Sequence, residues 1–122
     1  MSKWRVCKLV KPNGNVPFDK WYNSLSTADK AAVDETVMLI ESVTTLPPEK
    51  VKKYKELYEL KIYGNKVALR PLALKDGKGR KLIVLVGTTK KGAIPDHEYK
   101  AALKLAKSHD DGDCGVKGYW ET

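Results

Sequence analysis

Apolar positions recur with two different periods along the first third of the chain. Alternate residues are apolar between 4 and 9, with Trp4 and Val6 on one side and Cys7 and Leu9 on the other, which predicts a short strand. Residues 17–24 and 27–43 repeat apolar positions every three or four residues, which predicts two helices. Because the link between these helices is very short, we expect them to form a helical hairpin.

The second half of the chain predicts strands followed by one helix. Strand-like runs cover residues 57–63, 67–74 and 81–88, and the last is apolar on both faces, which is typical of a central strand. The glycine-containing segment 76–80 predicts a turn that joins the last two runs as a hairpin. Pro71 has no N–H to donate, so it indicates an edge position or a bulge in the middle run. The final helix begins at Pro95 and ends near His109.

The resulting order is β-α-α-β-β-β-α. It predicts the α+β class, with an antiparallel sheet packed on the helical hairpin. The 122 residues suit a single domain, which we place at residues 1–109. Residues 110–122 contain four acidic residues, one lysine and many small polar residues without a period, which predicts a flexible acidic C-terminal tail.

The net positive charge of the chain indicates a polyanionic partner. The chain has 23 basic and 15 acidic residues, and residues 1–109 alone have 22 against 11, a formal charge of +11. Such a body attracts nucleic acid, although an excess of surface lysine alone would give the same count. Two cysteines cannot form a disulfide framework, and we find no signal peptide or membrane span, so we expect a cytoplasmic protein.

Metal, cofactor and cysteine chemistry have no matching pattern. The two histidines and two cysteines do not make an ordinary four-ligand zinc site, and there is no glycine-rich phosphate loop. The acidic segment 109–113 lacks the alternating oxygen ligands of a calcium loop. Cys7 falls in a strand and Cys114 in the tail, so neither suits a nucleophile with a histidine partner. We therefore predict no metal and no cofactor.

Basic and hydroxyl groups fall where the predicted sheet would gather them. They are Lys61, Arg70, Lys90, Lys91, His97 and Tyr99. Metal-free RNA cleavage needs this inventory, because the 2′-hydroxyl loses a proton, the phosphate needs cations and the leaving oxygen gains a proton. Each residue also has an ordinary interpretation: Lys61 and Arg70 as solvated charges, Lys90 and Lys91 as a polar loop, His97 as incidental and Tyr99 as core packing.

Four stretches, taken in order, carry a family resemblance. They are VPFDKWYNSLSTADKAAVDETV, KELYELKI, VALRPLALKDGKGRKLIVLVGTTKKG and PDHEYKAALKLAKSH, which together cover about residues 16–109. In this order they resemble the RelE/ParE toxin superfamily, most closely its HigB-like, phage-derived branch. The element order predicted above agrees with the fold of that family.

The resemblance implies the toxin of a type II toxin–antitoxin system. Ribosome-dependent members cut messenger RNA in the ribosomal A site without a metal ion, so the implied partners are a cognate antitoxin, the ribosome and mRNA. Two alternatives stay open. Some relatives inhibit DNA gyrase without cutting RNA, and a phage or prophage protein can retain the fold without the activity.

The same resemblance assigns roles to residues. Arg70 matches the family's sheet arginine, and Lys61 stands where the family usually has the arginine of an ELR motif, so these two are expected to hold the scissile phosphate. His97 and Tyr99 are the candidates for proton transfer. Lys90 and Lys91 fall in the loop where the family places cations, and Lys66 and Arg80 complete the expected RNA-binding set.

Overall fold

The computed structural model describes residues 2–89 and 92–121. The helices are α1 (Pro17–Asn23), α2 (Thr27–Glu41) and α3 (Asp96–Asp110). The strands are β1 (Arg5–Val10), β2 (Val51–Tyr54), β3 (Leu57–Leu60), β4 (Ile62–Tyr63), β5 (Ala68–Leu69), β6 (Leu72–Asp76), β7 (Lys81–Val86) and β8 (Gly115–Gly118). None of these helices has the length and apolar character that crossing a membrane requires.

Six of the strands form one mostly antiparallel sheet, which confirms the α+β class. Its order is β2-β3-β6-β7-β1-β8, and β4 and β5 pair separately as a short ribbon. Only β1 and β7 pair in parallel among the described strands. The β6–β7 hairpin closes with Asp76 opposite Lys81, as the turn at 76–80 predicts.

Helices cover both faces of the sheet, which explains the strand patterns. The helical hairpin α1–α2 packs on one face, where Val6 and Val84 meet Phe18 and Val37. The helix α3 covers the other face, where Cys7, Leu9, Ile83 and Leu85 meet its apolar stripe. The central strand β7 must therefore be apolar on both sides, and the prediction of its central position is confirmed.

Two of the predicted strands are interrupted where they leave the main sheet. The run 57–63 divides into β3 and β4, and the run 67–74 divides into β5 and β6 around Arg70 and Pro71. The β6–β7 register shifts between Leu72 and Ala73, which is the irregularity that Pro71 indicates. The β4–β5 turn is fastened to α2 because Asp29 accepts a hydrogen bond from the Asn65 N–H at 2.7 Å. Gly64 is needed in this turn, since Asp29 and Leu69 leave no space for a Cβ atom.

Both edges of the sheet differ from the sequence prediction. At one edge, the basic segment before β3 forms the strand β2. At the other edge, β8 pairs antiparallel with β1, although β8 lies in the segment that was expected to be a flexible tail. Tyr119, which follows β8, is only 7% exposed, and its ring packs against Phe18. The structure therefore differs from the predicted separate tail, because the free edge of β1 and the aromatic rings beneath it give these residues a place to bind.

Candidate functional site

Lys61 and Arg70 meet at one end of the sheet, where β3 ends and β6 begins. They line a pocket of about 160 Å³ together with Tyr63 and Ala68 of the β4–β5 ribbon. The backbone N–H of Lys61 donates to the carbonyl of Lys50 at 2.8 Å, so a third cationic residue, directly before β2, is its neighbour. The structure thus brings together the two residues that the sequence analysis assigned to phosphate binding.

Arg70 is held in place by an acid that the sequence analysis missed. Its Nε donates to Glu59 Oε2 at 2.9 Å and its Nη2 to Glu59 Oε1 at 3.3 Å, while Nη1 donates to the Gly92 carbonyl. The side chain of Glu59 is 4% exposed and that of Arg70 is 19% exposed. These contacts use three of the five N–H groups of the guanidinium, so two remain for another acceptor.

Glu59 lies on the sheet face that α3 covers because of the alternation along β3. Leu57 and Glu59 have the same parity, and Leu57 packs in the cluster under α3, whereas Leu60 packs against the helical hairpin. The sequence signal that could have identified this contact is Glu59 itself, a single acidic residue within the otherwise uncharged strand LYEL. A buried carboxylate needs a cationic partner, and Arg70 lies on the next stretch of chain along this edge.

Tyr63 is the exposed aromatic group at the pocket. It is 78% exposed, although it pairs with Ala68 within the ribbon, and it lines the same pocket as Lys61 and Arg70. Lys66 is also exposed, at the ribbon's turn, with a positive φ of 68°. An exposed ring beside cations can stack on a nucleobase while the cations bind the backbone. The sequence analysis assigned no role to Tyr63.

Tyr99 does not belong to this pocket, which corrects its expected catalytic role. It is 6% exposed on the apolar stripe of α3, and its hydroxyl accepts a hydrogen bond from the Glu56 N–H at 3.2 Å. Glu56 and Lys61 lie at opposite ends of β3, about 16 Å apart at the usual rise of a strand. Tyr99 is therefore a packing residue, because the buried side of α3 determines where its ring points.

His97 belongs to the same distant region as Tyr99. It is exposed in the first turn of α3, and the neighbouring Asp96 lies 3.9 Å from Lys55 in the β2–β3 turn. His97 is not among the residues that line the pocket of Lys61 and Arg70. The structure therefore does not bring His97 together with Lys61 and Arg70, and its expected role in proton transfer stays a prediction.

Arg80 has a structural role at the opposite end of β6. Its guanidinium donates to the Ser2 carbonyl at 2.7 Å and to the Thr44 carbonyl, and it lies 5.0 Å from the centre of the Trp4 ring. It thereby ties the start of the chain to the segment after α2. Arg80 therefore does not line the pocket of Lys61 and Arg70, and its expected contribution to RNA binding stays a prediction.

Lys90 and Lys91 lie outside the described residues. Their described neighbours both touch the chain around Arg70: Thr89 forms a bridge with Leu69, and the Gly92 carbonyl accepts from Arg70. In the described ranges no group of three His, Cys, Asp or Glu residues is arranged to hold a metal ion. Burial raises the pKa of the Cys7 thiol, which keeps it protonated and unreactive.

Comparison with known proteins adds no assignment to this geometry. No protein-family model matches the chain, and no curated protein or solved structure matches it either.

Proposed function

We propose that the protein is a RelE/ParE-like toxin of a type II toxin–antitoxin system that cleaves mRNA on the ribosome without a metal ion. Four motif stretches in order, an α+β architecture and a formal charge of +11 on residues 1–109 support this proposal. The observation that carries it is the group of Lys61, Arg70 and exposed Tyr63 around one pocket.

The chemistry of this pocket suits single-stranded RNA. Lys61 is a mobile point charge and Arg70 a fixed planar donor, so together they can neutralise a phosphate and set its orientation. Glu59 keeps the Arg70 guanidinium in one orientation through two hydrogen bonds. Tyr63 offers a ring for a base on either side of that phosphate.

Proton transfer in this proposal falls to groups at the pocket. Among the described residues that line the pocket, the Lys61 ammonium and the Tyr63 hydroxyl are the proton donors beside Arg70. In the proposed step the 2′-hydroxyl passes its proton to solvent water as its oxygen bonds to phosphorus. The bond between phosphorus and the 5′-oxygen then breaks, and Lys61 or Tyr63 protonates that oxygen and regains a proton from water.

A second candidate is the ParE-like function, which is non-enzymatic inhibition of DNA gyrase. The contacts of Arg70 favour it, because Glu59 and Gly92 already engage each nitrogen of the guanidinium. An arginine used in this way can support the fold of a binding surface without touching a reacting phosphate. The two candidates differ in their effect on RNA: the first cleaves mRNA and the second leaves RNA intact.

The deciding experiment combines purified protein with ribosomes and mRNA, and maps cleavage by primer extension. Lys61→Ala should reduce the cleavage rate about 10²–10³-fold, the usual loss for one transition-state donor. Tyr63→Ala should reduce it about 5–150-fold, because stacking of one base contributes about 1–3 kcal/mol. Lys78→Ala removes the same charge from the exposed turn at the other end of β6 and should leave the rate unchanged.

Two results would reject the ribonuclease proposal. Intact mRNA at saturating protein, together with loss of gyrase supercoiling, would favour the gyrase inhibitor. Equal loss of cleavage in Lys61→Ala and Lys78→Ala would mean that general positive charge, and not this pocket, is responsible.

A further inference from the structure

A second cavity lies near the β1–β8 edge of the sheet, where α1 and α2 pack on it. It has a volume of about 300 Å³ and is walled by four aromatic rings, those of Phe18, Tyr22, Tyr119 and Trp120. Phe18 is buried, whereas Trp120 is 52% exposed. Its Nε1 donates to Glu41 at 2.8 Å, which fixes the indole. The cavity therefore has a closed aromatic floor and an open aromatic rim.

Charged groups in this cavity do not balance. Lys8 forms an ion pair with Asp19, Nζ to Oδ1 at 2.9 Å, and these two charges cancel. Asp34 also lines the cavity, but its hydrogen-bond donors are the Tyr119 hydroxyl at 2.7 Å and the Tyr22 hydroxyl at 2.9 Å, which are neutral. Within the described ranges Asp34 has no salt bridge. The walls therefore have an excess of one negative charge.

The two tyrosines stay neutral and leave Asp34 with free acceptor positions. Burial and the hydrogen bond to Asp34 raise the pKa of Tyr22 to about 12, and burial raises the pKa of Tyr119 further. Both phenols therefore remain donors at neutral pH. A carboxylate has about four lone-pair positions, of which these donors occupy two.

We propose that this cavity binds an organic monocation, either an alkylguanidinium or an alkylammonium group on an apolar stem. The charged head would bind the free positions of Asp34. The ammonium groups of Lys8 and Lys30 already lie 5.7 Å from the centres of the Tyr119 and Tyr22 rings, so the rings of Phe18 and Trp120 would supply the aromatic contact to the ligand. The stem would lie against Trp120 at the rim. Lys8 limits the ligand to one positive charge. A second cationic group would be repelled by the Lys8 ammonium and would find no free carboxylate among the described residues of the cavity walls.

The test uses n-butylguanidinium as the probe and n-butylurea as a neutral control of nearly the same shape. Binding is followed from the indole N–H signals in NMR spectra of the whole chain, and the Trp120 signal is assigned with Trp120→Leu. We expect saturable shifts of the Trp120 signal with butylguanidinium and binding at least about tenfold weaker with butylurea. Equal binding of both probes, or no saturable shift, would overturn the proposal.

Two matched variants test whether the charge of Asp34 is required for binding of the cation. Asp34→Asn keeps the shape of the side chain and should weaken butylguanidinium binding about 10–100-fold, as loss of a charged hydrogen-bond partner does. Glu35→Gln removes the same charge from the next, exposed residue of α2 and should have no effect. Equal effects of the two variants would overturn the assignment to Asp34.

Trp120→Leu provides a variant outside the core in case Asp34→Asn fails to fold. It should weaken binding of butylguanidinium about 2–30-fold by removing one aromatic face, and unchanged binding, followed from the backbone amide signals of the residues that line the cavity, would overturn the aromatic contribution. A peptide with one arginine that binds more tightly than butylguanidinium would assign the site to a partner's side chain. Equal affinity would assign it to a free small cation. Neither result depends on whether the protein cleaves RNA.

Discussion

Replacing Arg70 by alanine is expected to lower the stability of the fold, beyond any effect on activity. The guanidinium is the partner of a Glu59 carboxylate that is 4% exposed, and its Nη1 also fixes the Gly92 carbonyl before α3. Without Arg70 the charge of Glu59 would remain buried without an ion pair, since Arg70 is its only salt-bridge partner among the described residues and Lys52, directly opposite on β2, is exposed to solvent. The loss therefore consists mainly of the penalty for that unpaired charge.

Breaking a buried ion pair from one side costs about 3–5 kcal/mol. For a chain of this length that loss corresponds to a fall in Tm of about 12–20 °C, because each kcal/mol lowers Tm by about 4 °C. Arg5→Ala is the matched control, since Arg5 is exposed on β1 and should change stability by less than about 0.5 kcal/mol.

Urea denaturation of four proteins tests this reasoning: the wild type, Arg70→Ala, Glu59→Gln and the double variant. Because the penalty comes from charge, adding Glu59→Gln to Arg70→Ala should recover at least half of the lost free energy of unfolding. A loss below about 1 kcal/mol in Arg70→Ala, or no recovery in the double variant, would refute it. The same data decide whether loss of toxicity in Arg70→Ala reports chemistry or unfolding.

Two further predictions concern the C-terminal segment and alkaline pH. Deleting residues 110–122 removes β8 and the buried Tyr119 ring, so it should lower the free energy of unfolding by at least about 3 kcal/mol, whereas loss of a free tail would leave thermal denaturation unchanged. Because the pKa of Tyr22 is raised from 10.0 to about 12, stability should be full below pH 10 and fall as pH rises toward 12. Asp34→Asn should shift this fall to lower pH in alkaline urea titrations, and an unchanged profile would contradict the assigned hydrogen bond.

The candidate site was predictable in part. Lys61 and Arg70 were expected to lie together because both strands were assigned to one sheet, and their role in phosphate binding came from the family resemblance. Tyr99 was misplaced because helical periodicity indicates which face is buried but not which end of the sheet that face reaches. The contacts of Arg80 were not predictable, because charge alone does not distinguish a surface cation from one that binds backbone carbonyls.

The sequence by itself determined the three helices, the strands β1 and β7, the runs that contain β3 to β6, and the α+β class, since local periodicity and turn residues specify helices and strands within a few positions. It did not predict the edge strand β2. Only the tertiary structure decided which distant groups meet. Arg80 reaches the Thr44 carbonyl across 36 residues, and Tyr119 reaches Asp34 across 85. The strand β8 was also decided by the tertiary structure. Its four residues include two glycines and have little strand preference of their own, so they become ordered only by pairing with the free edge of β1. A periodic pattern records which face of an element is buried, but the partner on that face depends on how the whole chain folds.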